Sequence, residues 1–175
     1  MILGACGSDE GPPRAATTTT RPKGPTELDY ITATAVALSK GGGFGDTETN
    51  KCAAEAYVSA IGVDTLRDTV TPAEIAAKPN VLPKDLGLEP DAAKLYRGLN
   101  DCVDVDRMVL TNYSTDQSVL DCLTARTPEE LRFSLFASSL AEAPPEPADD
   151  TAVKAALAKC PPVSGPARAP APAGG

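Results

Sequence analysis

Histidine is absent from this sequence, and so is tryptophan. Without histidine, neither Ser-His-Asp nor Cys-His catalysis is available, and the commonest metal ligand is missing. Aromatic residues make up only 4%, so a core has to be built from Ala, Leu, Val and a few Tyr and Phe. Basic clusters are also lacking: the net charge is −8 and the isoelectric point is near 4.5. That balance argues against a nucleic-acid surface, which needs clustered Lys and Arg, and against a polybasic membrane patch. No run approaches the roughly 18 apolar residues of a membrane-spanning helix. Nor is there a Cys-x-x-Cys pair. Structural zinc sites usually take ligands in closely spaced pairs, so Cys52, Cys102, Cys122 and Cys160 do not read as a zinc set. No metal and no cofactor is expected.

Three further patterns fail as sites. The GGGFG run at 41–45 is followed by Asp46, whereas a phosphate loop needs a closing Gly-Lys-Ser/Thr after a strand; it reads as a helix stop and flexible loop. The DCVDVD stretch at 101–106 lacks the polar and Gly positions of a calcium loop, because Met108 and Val109 stand there. Its carboxylates read as solvated groups at a helix end. Glu129 and Glu130 fall in the first turn of a helix, where the dipole favours negative charge, and a two-acid hydrolase is a weak alternative. Met108 and the cluster Leu131, Phe133, Leu135, Phe136 and Leu140 read as core.

What is present is helical spacing almost throughout, with no sustained period-two alternation, so the fold class is all-α. Leu28, Ile31, Ala35 and Leu38 place a helix at 27–39, with Thr26 as N-cap. Asp46 or Thr47 caps a second at about 47–61, and Gly62 ends it. A short piece follows at 63–69. Thr71-Pro72-Ala73-Glu74 is a capping box with Pro at the first helical position, opening 72–78. Residues 79–90 read as loop. Further helices are expected at about 90–103, 105–110, 116–126 (capped by Thr115 or Asp116), 128–141 (opened by Thr127-Pro128-Glu129-Glu130) and 149–160, with a linker at 144–147. Residues 7–26 carry no large apolar side chain and read as a disordered tether, very roughly 25 Å across. The Pro/Ala/Gly-rich 161–175 reads as a disordered tail. The folded domain is 27–160.

Two segments align. GDTETNKC (45–52) and TDQSVLDC (115–122) each place an Asp six residues before a Cys; LYRGLNDC (95–102) and VKAALAKC (153–160) each place a Leu three before a Cys. The expectation is a degenerate repeat, 46–102 and 116–160, each half with a Cys early in one helix and a Cys in the last turn of another. Antiparallel neighbours would bring such ends together. Of the three connectivities open to four cysteines, this arrangement favours Cys52–Cys102 and Cys122–Cys160.

Leu3-Gly4-Ala5-Cys6, a leucine three before a cysteine with small residues between, resembles the lipobox of bacterial lipoproteins. The resemblance implies that Cys6 carries the lipid, that residues 1–6 are the remnant of a signal segment, and that the chain is anchored outside the cytoplasm. Only Met1-Ile2 precede the box, so a leader upstream of residue 1 is expected. With Cys6 lipidated, an even four cysteines remain. The segments CAAEAYVSAIGVDTL (52–66), DCVD (101–104), DCL (121–123) and AALAKC (155–160) also resemble a loosely defined group of small secreted four-cysteine helical proteins of high-GC Gram-positive bacteria. That group implies fold and location only and carries no assigned activity.

The expected function is a non-enzymatic, lipid-anchored helical module on the outer face of the bacterial cytoplasmic membrane, binding an unidentified envelope protein or component and no nucleic acid. The alternative is a small-ligand-binding protein with a cavity between helices.

Overall fold

The computed structural model describes residues 24–79 and 86–160. Cys6, residues 7–23 of the expected tether and the tail at 161–175 lie outside the described residues. Within them the chain forms α-helices and no strand: α1 Glu27–Lys40, α2 Thr47–Ile61, α3 Val63–Thr69, α4 Pro72–Ala77, α5 Ala92–Asn100, α6 Val105–Leu110, α7 Gln117–Arg126, α8 Glu129–Leu140 and α9 Pro147–Leu157.

Local chemistry sets most of the starts. Thr26 and Asp29 form a capping box on α1, and Thr71 and Glu74 form another on α4. Asp46 caps α2 by accepting from Thr49 N, and Asp116 caps α7 by accepting from Ser118 N and Val119 N. Both carboxyls are held below the usual carboxylate range, Asp46 chiefly by the Thr49 backbone N–H and Asp116 chiefly by the Ser118 hydroxyl. Asp91 caps α5, so that helix begins at Ala92 and not at Pro90. The folded part also starts before residue 27, since the Pro25 carbonyl accepts from Arg67 Nε at 2.8 Å.

One expected cap is wrong. Thr127 does not open α8. Its hydroxyl donates back to Leu123 O at 2.8 Å and closes α7, and Pro128 stands at the N-cap of α8 without a side-chain bond. The last helix takes Pro147 from the expected linker as its first residue. Cys102 and Cys160 sit just past α5 and α9 and not inside their last turns. The N–H of each closes a tight turn onto the leucine three residues earlier, Leu99 O and Leu157 O.

The glycine run after α1 has an organiser. Asn50, buried on α2, accepts from Phe44 N at 2.8 Å and donates to Gly45 O and Ser39 Oγ. Gly43 has φ +41°, and a Cβ there would fall 2.1 Å from Asn50 Oδ1, so the position admits only glycine. The run is therefore a bound turn fixed by Asn50.

Two apolar clusters result. One lies among α1–α4, with Tyr30, Val58, Leu66 and Ile75 withdrawn from solvent. The larger spans α2 and α5–α9, around Leu95, Leu110, Leu123 and Val153. Helices α2 and α5 join them in a strict antiparallel register. Cys52 is bonded to Cys102 at one end. One turn on, Ala56 meets Gly98, where an added Cβ would lie 2.9 Å from Ala56 Cβ. At the far end Asp91 N donates to Ala60 O and Lys94 Nζ to Ser59 O. Gly98→Val would wedge these helices apart beside the disulfide. It is expected to lower stability by about 2 kcal/mol in denaturant titration, with part of the loss recovered when Ala56→Gly is added; an unchanged midpoint would contradict the close contact.

Candidate apolar cleft and its scaffold

The helices α5, α6 and α8 diverge enough to leave an open cleft of about 690 Å³. Leu99, Val105, Val109, Phe136 and Leu140 form its walls and Tyr57 reaches it from α2. Met108, 46% exposed, stands at the mouth. Met108, Phe136 and Leu140 were expected to fill a core; Phe136 and Leu140 do pack there, but all three also face the cleft. Polar groups are few: Asn112, Ser139, Glu89 and Glu142. A volume of this order, mostly apolar with a few polar groups, is what small-molecule sites offer.

Glu142 ends α8 with φ +52°, a left-handed conformation that usually falls to glycine. Its N–H donates to Ser139 O, and the next N–H, of Ala143, donates to Ser138 O. That pair of bonds reverses the chain at the rim of the cleft.

Beneath the cleft a polar cluster fixes the three walls. Tyr96 of α5 donates its hydroxyl to Asp106 Oδ1 of α6. Arg132 of α8 brings Nε to 2.9 Å from Asp106 Oδ2, an ion-pair contact whose N–H direction falls outside hydrogen-bond geometry. Arg132 Nη1 also donates to Thr124 O at 3.1 Å and to Thr127 O at the end of α7. Burial, and then the hydrogen bond to Asp106, push the Tyr96 phenol up to about 12. The Tyr96 ring packs against Phe133 and Phe136, with centroids 5.5 and 5.3 Å apart.

The other carboxylates singled out from the sequence have structural roles. Asp104 caps α6 by accepting from Arg107 N, Asp101 is the C-cap of α5, and Glu129 and Glu130 are exposed in the first turn of α8. Among the described residues no group of three or more His, Cys, Asp or Glu is placed to hold a metal ion. The disulfides are Cys52–Cys102 and Cys122–Cys160, each with Cα atoms 5.7 Å apart. Both halves place the Cys six residues after a capping Asp, yet α3 and α4 lie inside the first loop and only α8 inside the second, between the bonded helices. Disulfides persist in oxidising compartments, which points to an extracytoplasmic environment. No helix among the described residues is long and apolar enough to cross a membrane.

Sequence reasoning missed the Tyr96–Asp106–Arg132 cluster, and it offered a cavity between helices only as the alternative, without naming the residues that line this cleft. Compared with known proteins, the chain matches no family model, no curated protein and no solved structure.

Proposed function

We propose that this protein is an extracytoplasmic binding module, tethered through a lipid on Cys6, whose cleft between α5, α6 and α8 takes a small apolar ligand without chemical turnover. The observation that carries the binding role is the cleft itself. Its walls are apolar, and a three-residue polar cluster holds them in place. The lipobox-like Leu3-Gly4-Ala5-Cys6 supports the anchor. A two-acid hydrolase would need carboxylates withdrawn from solvent, and both Glu89 and Glu142 are exposed. Capture of a partner protein is the second reading, favoured by exposed Leu28 and Val36 about two turns apart on α1.

Two measurements test the proposal. N-phenyl-1-naphthylamine, an apolar dye that brightens out of water, should bind saturably at one site per chain. Ala137→Trp, which fills the cleft from α8, should abolish that binding. Radiolabelled palmitate should label the protein in a bacterial host when translation starts upstream of residue 1, and Cys6→Ala should remove the label. Absence of saturable dye binding would end the ligand reading, and labelling that survives Cys6→Ala would end the anchor reading.

A further inference from the structure

The disulfides leave one readily oxidised sulfur among the described residues. Cys52, Cys102, Cys122 and Cys160 are all bonded in pairs. The chain has two methionines, and Met1 lies outside the described residues. The remaining sulfur is the thioether of Met108, whose side chain stands 46% exposed at the mouth of the cleft. Met108 also lines a neighbouring groove of about 400 Å³ bounded by Val103 and Arg107. Phe44 lines both hollows too, with its N–H bound to Asn50. Any ligand filling the cleft as far as its mouth meets Met108.

Helix α6 does not lean on this side chain. Val105, Val109 and Leu110 hold the helix in the core. Thr111 closes its end, donating its N–H and its hydroxyl to Met108 O. Oxidation to the sulfoxide turns the flexible apolar side chain into a polar one with an acceptor oxygen. In the free protein that oxygen stands in water, because nearly half of Met108 is exposed. A hydrocarbon seated against Met108 would strip the water and offer no donor in return, which is costly. The cost therefore falls on ligand binding and not on the fold.

We propose that Met108 is an oxidation site at which a peroxide converts the cleft from its binding form to one that holds apolar ligands poorly. This rests on the cleft being a ligand site. A lone pair of the Met108 sulfur attacks one oxygen of hydrogen peroxide. The S–O bond forms as the O–O bond breaks, and hydroxide leaves from the far oxygen. It takes the proton of the transferred oxygen and departs as water. The sulfur gives up two electrons and the peroxide gains them. The two disulfides already point to an oxidising compartment, which suits this reaction.

The experiment measures binding of diphenylhexatriene, a hydrocarbon dye without a donor, before and after mild hydrogen peroxide treatment. It compares the wild-type protein, Met108→Leu and Met108→Gln, with N-acetylmethionine in the same tube to report the dose. In the wild type, peptide mass spectrometry should find one added oxygen on Met108. Dye affinity should then fall about tenfold, the cost of leaving one polar group unpaired, while the thermal midpoint stays unchanged. Met108→Leu keeps an apolar wall of similar volume without the sulfur, and should bind dye equally before and after treatment. Met108→Gln places a polar amide at the mouth and should bind the dye weakly with no oxidant. The proposal is overturned if Met108 stays reduced while N-acetylmethionine is oxidised, or if the oxidised wild type keeps its affinity. It is equally overturned if Met108→Leu loses binding on treatment, or if Met108→Gln binds as the untreated wild type does. Failure of the untreated wild type to bind any dye ends the ligand-site reading itself, a result distinct from dye binding that survives oxidation.

Discussion

Replacing Cys52 and Cys102 together by alanine is expected to lower stability by about 4 kcal/mol, the chain entropy released when a loop of about 50 residues is opened. That is a large share of the roughly 5–15 kcal/mol by which domains are stable. The thermal midpoint should fall by on the order of 10 °C. Chain entropy alone would make Cys122–Cys160, with a separation of 38, almost equally valuable. The packing separates the two. The Cys52–Cys102 bond sits at the end of the tight α2–α5 register that joins both apolar clusters, so its loss weakens the whole fold. Helix α9 buries only Val153 of its own residues, with Cys160 beyond it. Removing Cys122 and Cys160 should therefore release α9 first. Hydrogen exchange would show this as fast exchange confined to about 147–160 in that variant, against a general rise in the Cys52/Cys102 variant. Uniform exchange in both would refute the division.

Arg132→Ala is expected to cost about 3 kcal/mol. The side chain is only 16% exposed and serves three groups at once: the Asp106 carboxylate and the carbonyls of Thr124 and Thr127. Deleting it leaves a half-buried carboxylate facing only the Tyr96 hydroxyl, and two carbonyls without their donor. Coupling to Asp106 is the sharper readout. In the Asp106→Asn background the additional cost of Arg132→Ala should fall to about half, because the uncompensated charge is already gone. Chemical denaturation of the four proteins of that cycle gives the number. Additive losses would mean that Arg132 acts through its carbonyl contacts alone.

The features legible in the sequence are those whose partners lie a few residues apart. Asp46 and Asp116 can be read as caps because a cap and the N–H groups it serves are separated by two or three positions. With each Asp six residues before a Cys, one end of each bridge is located; a Leu three before the other Cys locates the second. Thr127 misleads for the same local reason, since one hydroxyl can serve the helix that ends or the helix that begins, and burial among α7 and α8 decides. Arg132 is not legible at all: its partners come from positions 106, 124 and 127 and meet only when three helices converge. Nor is the cleft. Met108, Phe136 and Leu140 have the same apolar periodicity whether the space they face is filled or open.

The two bridges also bear on how correct pairing is reached. Neither loop crosses or encloses the other: the first closes at residue 102, and the second opens at residue 122. A chain that enters an oxidising compartment amino end first presents Cys52 and Cys102 before Cys122 has arrived. The first pair can then bond while the α2–α5 register is the only structure able to bring two of these thiols together. Of three possible connectivities, order of arrival selects the native one, and no later reshuffling of bonds is required.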